Sequence, residues 1–244
     1  MSYNNKIWRY FDFPKFVDLL QTSSLFFERG DKLIEFDKKE GSIFSLGMQK
    51  DNAEQPTINH LINIDIPLSQ EDINKWCFIN CWHKSAKECY AMWRLYGKDF
   101  GVSIASSIKK LQKSFVFNSK DDEFLILENG YQTIWNDKVI VDMRYYNDDK
   151  DYIHTESPID RFTYKRKEFE YEKEVRCIIY FPDGCGVNVN NEIVTYDNIK
   201  LNINLDNLID EIYISPFAPS WFYSVIENLC RKYQINKKII QSVI

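Results

Sequence analysis

Ionisable side chains stand inside aromatic segments at four places in this chain. The first is Trp8-Arg9-Tyr10. A guanidinium among aromatics is costly to bury unless an anionic partner or ligand meets it. Arg9 therefore reads either as half of a structural ion pair or as a ligand contact. The second runs from Cys81-Trp82-His83 through Glu88 to Trp93-Arg94-Leu95-Tyr96, with His83 expected between a strand and a helix. The third starts at Lys165-Arg166-Lys167 and ends in Tyr171-Glu172-Lys173-Glu174-Val175-Arg176. Strand alternation would put Glu172, Glu174 and Arg176 on one face. Two carboxylates and a guanidinium there form an ion-pair ladder, or supply a general base or a stabiliser of oxocarbenium-like charge. The fourth is Ile214-Ser215-Pro216-Phe217-Ala218-Pro219-Ser220-Trp221. It ends a strand and opens a helix: either the free N–H groups of that helix hold an anion, or the segment is a rigid capped turn with Trp221 in the core.

Several chemistries are excluded by pattern. The chain has 8 Gly in 244 residues, and no G-x-G-x-x-G or Walker-type phosphate loop. G-x-S-x-G and H-E-x-x-H are missing too. Cys77, Cys81 and His83 have C-x3-C-x-H spacing without a second ligand pair, so no metal is expected. The 6 Cys read as reduced thiols. Net charge is −5, which repels duplex nucleic acid overall while leaving room for a local basic patch. The N-terminus lacks a signal-peptide pattern, and no run nears the roughly 18 apolar residues of a membrane span. A cytoplasmic protein that does not contact membrane is the expectation.

The elements that must position these residues follow from periodicity. Ile7 to Tyr10 predicts a strand, Pro14 a first helical turn, Phe16, Leu19 and Leu20 a helical stripe, and Ser24 to Phe27 a second strand. Residues 29–60 are polar and aperiodic, which predicts an irregular insertion or long loop. Ser69 predicts a helix cap. Trp76 to Trp82 predicts a buried strand, Ser85 to Glu88 a capping box, and Gly97 the end of its helix. Strands are expected over Phe100–Ser106, Lys138–Tyr145, Val175–Tyr180, Lys200–Leu205, Ile212–Ser215 and Lys238–Val243. A helix capped by Ser106 or Ser107 is expected at Ile108–Leu111, a surface loop over residues 147–160, and a helix behind Ser220. Strands beside strands with about four helices between them predict an α+β fold with mixed, mostly antiparallel sheets. Residues 1–244 read as a single domain.

Together the four segments resemble a bacterial family known only as a domain of unknown function, number 2971 of that series. The resemblance rests on Trp8-Arg9-Tyr10, Ser24-Leu25-Phe26-Phe27, the Asp37 to Glu40-Gly41 element, and Cys81-Trp82-His83…Glu88…Ala91-Met92-Trp93…Tyr96. It continues in Lys165…Tyr171-Glu172-Lys173-Glu174-Val175-Arg176 and Ile212-Tyr213-Ile214-Ser215-Pro216. The chain departs from the family at residues 31–41, where members often carry an N/D-D-P-F-E/D run and this chain has Ile34-Glu35-Phe36-Asp37-Lys38-Lys39-Glu40.

More remotely, the layout is similar to the ADP-ribosyltransferase fold, especially its nucleic-acid-modifying branch. That likeness implies NAD as co-substrate without a metal, and Glu174 as the catalytic carboxylate with Glu172 as its competitor. It implies that Arg9 contacts the NAD phosphates or ribose, and that a residue near Ser24–Phe27 lines the nicotinamide pocket. Tyr10, Trp82, His83, Tyr96 and Arg176 complete the candidate binding set. The partners expected are a small-molecule nucleotide and a nucleic-acid or protein acceptor, in a toxin or phage-defence effector. The alternative is a non-catalytic module that binds a nucleotide, nucleic acid or peptide in an aromatic and arginine-bearing cleft. A metal-dependent hydrolase using Glu172 and Glu174 is a third expectation. Four of the six tryptophans, Trp8, Trp82, Trp93 and Trp221, fall in these motifs and read as a candidate wall for a planar ligand.

Overall fold

The computed structural model describes residues 6–33, 74–116, 140–147, 160–180, 186–189 and 192–244. Strand β1 (Lys6–Phe11) opens the fold and leads into helix α1 (Phe13–Thr22). The Asp12 carboxylate caps α1 by accepting from the Lys15 N–H, Pro14 fills the first turn, and Ser23 ends it in the left-handed region at φ 47°. Strand β2 (Ser24–Arg29) follows, then a short helix α2 (Gly30–Leu33). The rest of the expected 29–60 insertion, and Ser69, lie outside the described residues.

Strand β3 (Cys77–Lys84) is longer than its apolar run, and it carries His83 within the strand rather than after it. The capping box does not form. Ser85 Oγ accepts from the Lys87 N–H, helix α3 (Tyr90–Met92) starts only after Cys89, and Glu88 accepts from the buried Trp93 indole at 3.0 Å. A buried indole N–H left without an acceptor would cost more than an exposed helix cap, so Glu88 goes to it. Helix α3 runs directly into a π turn over Trp93–Gly97. Gly97 does not end the helix in the left-handed region; Lys98 does, at φ 57°. Gly97 is needed because a Cβ there would meet the Trp93 ring at 2.6 Å.

Strand β4 (Val102–Ser107) and helix α4 (Ile108–Ser114) follow, with Ser107 Oγ capping α4. The strand expected over Lys138–Tyr145 splits into β5 (Ile140–Asp142) and β6 (Arg144–Tyr146), which join different sheets. The loop expected over 147–160 falls mostly outside the described residues. A 3-10 turn (Asp160–Thr163), β7 (Tyr164–Arg166), a second 3-10 turn (Lys167–Glu172) and β8 (Glu174–Tyr180) come next. The hairpin β9 (Gly186–Val189) and β10 (Glu192–Thr195) has no counterpart in the sequence reading.

Strand β11 (Asn198–Asn202) stops before Leu205, which instead opens helix α5 (Leu205–Leu208), capped by Asn204. Strand β12 (Glu211–Ile214), helix α6 (Trp221–Lys232) and β13 (Lys238–Gln241) close the fold. The stripe of Phe222, Ile226 and Cys230 is buried as the periodicity requires, but Trp221 is 58% exposed rather than in the core.

Among the described residues nine strands form one sheet, antiparallel except for the β12–β13 pair, with helices beside it; the fold is α+β. Strand β3 is its hub. Strand β8 pairs along one edge of β3, from Cys77 to His83. The other edge is shared: β2 meets Phe78 and Ile79, whereas β1 meets His83 and Lys84. The sheet therefore forks between β1 and β2, and α1 connects the two prongs. On one face Phe16, Leu20, Ile104, Leu111, Ile212, Phe222 and Ile226 form the main apolar core under α1, α4 and α6. Among the described residues no helix is long and apolar enough to cross a membrane.

Candidate functional site

Strand register divides the sequence candidates between the two faces. Trp8 pairs with His83, His83 with Glu174, and Cys81 with Arg176. Trp8, Tyr10, Cys81, His83, Glu174 and Arg176 therefore share the face opposite the main core. Arg9 and Trp82 belong to the other face. Trp82 is buried in the core, and its indole donates to Asn80 Oδ1 at 2.6 Å. Trp8 donates to the Ser85 carbonyl at 2.9 Å, and Trp93 to Glu88. Three of the four tryptophans expected to wall a ligand site are thus packed inside with their N–H groups satisfied.

Arg9 sits at the fork. Its guanidinium donates to the Cys81 carbonyl at 2.6 Å, where β1 has peeled away from β3, and it faces the Phe11 and Trp82 rings. Asn80 fills the other side of the gap by donating to the Phe26 carbonyl at 2.7 Å. These two side chains take the place of ladder hydrogen bonds that the divergence removes. Burial lowers the pKa of Arg9.

Glu172, Glu174 and Arg176 do converge: strand alternation puts Glu174 and Arg176 on one face of β8, whereas Glu172 joins them from outside the strand. Glu172 ends the second 3-10 turn, and Lys173 follows at φ 41° before β8 begins. That left-handed residue turns the chain so that both carboxylates reach the ammonium of Lys165, Glu172 at 2.5 Å and Glu174 at 3.1 Å. Arg176 grips Glu174 with two parallel bonds, Nε to Oε1 at 2.9 Å and Nη2 to Oε2 at 3.1 Å. Its third nitrogen donates to the Phe162 carbonyl at 3.1 Å. All four charged side chains are buried, Arg176 to 1% exposure.

Burial alone would raise the pKa of Glu174, but Arg176 and Lys165 outweigh it and hold this carboxyl well below its ordinary range. Cys81 borders the group; burial and the charge of Glu174 push its thiol well up, so it stays protonated.

Tyrosines and His83 close the cluster. The Tyr96 hydroxyl donates to Glu172 Oε1 at 3.1 Å, from a ring that is 46% exposed on the π turn. Tyr145 Oη accepts from the Glu174 N–H at 2.7 Å. His83 Nδ1 lies 2.5 Å from the Glu172 carbonyl. A carbonyl only accepts, so Nδ1 carries the proton and Nε2 keeps its lone pair. Burial lowers the imidazole pKa and keeps it neutral. Tyr10 packs edge-on to His83 and to Trp93, and its hydroxyl accepts from the Cys89 N–H.

Of the sequence candidates, Glu172, Glu174, Arg176, His83, Tyr96 and Tyr10 thus meet on one face, Arg9 reaches them only through the fork, and Trp82 does not. The sequence reading missed Lys165 and Tyr145. Lys165 lay in a motif block but looked like any surface lysine. Only the turn at Lys173 makes it the common partner of both glutamates. Cys77, Cys81, Cys89, Cys177 and Cys230 are free thiols. Among the described residues no group of three or more His, Cys, Asp or Glu side chains is arranged to hold a metal ion.

A forked, largely antiparallel sheet with a buried ionic cluster on one face defines the class: an α+β protein whose ionisable groups gather at the sheet's hub. The family resemblance is borne out over part of the chain. Residues 92–177, from the end of α3 into β8, match the family described as "Protein of unknown function (DUF2971)". No curated protein and no solved structure matches the chain significantly.

Proposed function

We propose that the chain is a cytoplasmic NAD-using enzyme of the ADP-ribosyltransferase type, with Glu174 as its catalytic carboxylate and Glu172 beside it. The observation that supports this reading is the pair of carboxylates buried together at the hub of the forked sheet, with Glu174 kept ionised. Breaking the bond between nicotinamide and ribose develops positive charge on the ribose ring. A fixed, ionised carboxylate in a nearly dry setting stabilises such charge far better than one in water. Tyr96, half in solvent and bonded to Glu172, gives a route from the surface to that charge. Arg9 at the fork would meet the anionic part of the dinucleotide. The acceptor would be a nucleic acid or a protein, as in a toxin or phage-defence effector.

NAD is expected to raise the melting temperature. Glu174→Gln is expected to abolish NAD turnover while the circular dichroism spectrum stays that of the wild type. Absence of NAD binding at millimolar concentration overturns the reading.

One observation favours a second reading. Both oxygens of Glu174 already accept from Arg176 or Lys165, and Arg9 already donates to a backbone carbonyl. On that basis the same face belongs to a non-catalytic module that recognises a nucleotide, nucleic acid or peptide. The two readings part on turnover: the module binds its ligand and releases it unchanged.

A further inference from the structure

Two carboxylates a few ångströms apart inside a protein do not both stay ionised unless a positive charge lies between them, and two such groups left alone hold a proton instead. Among the described residues Arg176 bonds Glu174 through both oxygens and the Phe162 carbonyl, and makes no bond to Glu172. Lys165 Nζ is within 3.1 Å of an oxygen of each glutamate, and the side chain is itself 9% exposed. It arrives from β7, a strand outside the main sheet, and its ammonium also faces the Phe169 ring at 4.9 Å.

Among the described residues the other polar groups around the cluster do not substitute for it. Tyr96 and Tyr171 bring neutral hydroxyls toward Glu172. Tyr145 and Cys81 face Glu174, and His83 is neutral and bonded to the Glu172 carbonyl. Arg9 lies beyond β3 and donates to Cys81. Lys173 carries the turn that brings Glu172 over the site.

We propose that Lys165 is the positioning residue of this site: its ammonium bridges Glu172 and Glu174 and allows both to be anionic side by side. Without it the pair becomes a proton-sharing dyad. The site then carries one negative charge fewer near neutral pH, and Glu172 is released from its place under Tyr96. The inference concerns the site of the proposed function and is tested with no nucleotide present. A negative result here therefore leaves NAD use standing, and failure of NAD binding leaves this inference standing.

The experiment is a proton count. Wild type, Lys165→Met and Lys165→Arg are labelled with 13C at the glutamate carboxyls and titrated by NMR from pH 8 to pH 5. Lys165→Met is expected to bind one proton more than wild type over that range, on Glu172 or Glu174, and Lys165→Arg to follow the wild-type curve. A Lys165→Met curve superimposable on wild type overturns the proposal, as does a Lys165→Arg curve that follows Met. If Lys165→Met does not fold at pH 7, Lys165→Met/Glu172→Gln is measured. Removing one carboxylate with the ammonium is expected to restore folding, and failure of the double variant to fold also overturns the proposal.

Discussion

On the helix-covered face of the sheet, Ile104, Ile212, Phe222 and Ile226 meet as apolar side chains, and the contacts are interchangeable within limits of volume. The opposite face at the hub carries Lys165, Glu172, Glu174 and Arg176, buried to a similar degree but bound by direction and charge. The first face gains stability from area removed from water. The second must repay the desolvation of four charges, so it is weak grounds for stability, and leaving one of its charges without a partner is costly. A fold that needed only stability would be served as well by apolar residues there. The two faces are thus held by different physics, area on one and direction and charge on the other.

The largest break in this contrast is expected from Arg176→Met. It strips Glu174 of its two-point partner while leaving the carboxylate buried, at a cost of about 3–5 kcal/mol of unfolding free energy in urea titration. A cost below that of ordinary surface substitutions would mean that the two faces do not differ in kind.

Arg9→Met sharpens the comparison at the fork. It removes the donor to the Cys81 carbonyl but leaves the cluster intact, so the expected loss is smaller, about 1–3 kcal/mol. Equal losses in the two variants would show Arg9 to be part of the ionic unit.

The smallest effect is on pH dependence. The folded-state pKa of His83 is lowered by burial, so the unfolded chain takes up the proton first as pH falls. The stability that His83 contributes is present above its unfolded value of about 6.5 and is lost as pH falls through the lower folded value. Melting temperatures of wild type and His83→Gln between pH 7.5 and 5 test this, with a shallower decline expected in the variant.

Much of the framework was legible in order. The stripe of Phe16, Leu19 and Leu20 gave α1, and that of Phe222, Val225, Ile226, Leu229 and Tyr233 gave α6. The apolar runs gave β3, β4 and β12, because helix and strand periods are local properties of the chain. The misreadings share a cause. Ser85 to Glu88 has the spacing of a capping box, yet Glu88 answers to the Trp93 indole. Lys138 to Tyr145 alternates like one strand, yet its halves serve two sheets. In both cases a tertiary partner prevailed over the local pattern. Trp82 differs: it sits beside His83 in sequence and on the opposite face in space, as strand alternation itself requires.

The sequence by itself determined which residues carry charge, which segments are helices and strands, and that Glu174 and Arg176 point to the same side of one strand. Only the tertiary structure decided that β1 and β2 share one edge of β3, which places Arg9 in the gap. It also decided that Lys173 turns left-handed and brings Glu172 and Lys165 to Glu174. The physical reason is range. A period of 2 or 3.6 residues is written in neighbouring side chains, whereas the partner of a buried charge is chosen by what the folded chain brings within about 3 Å of it.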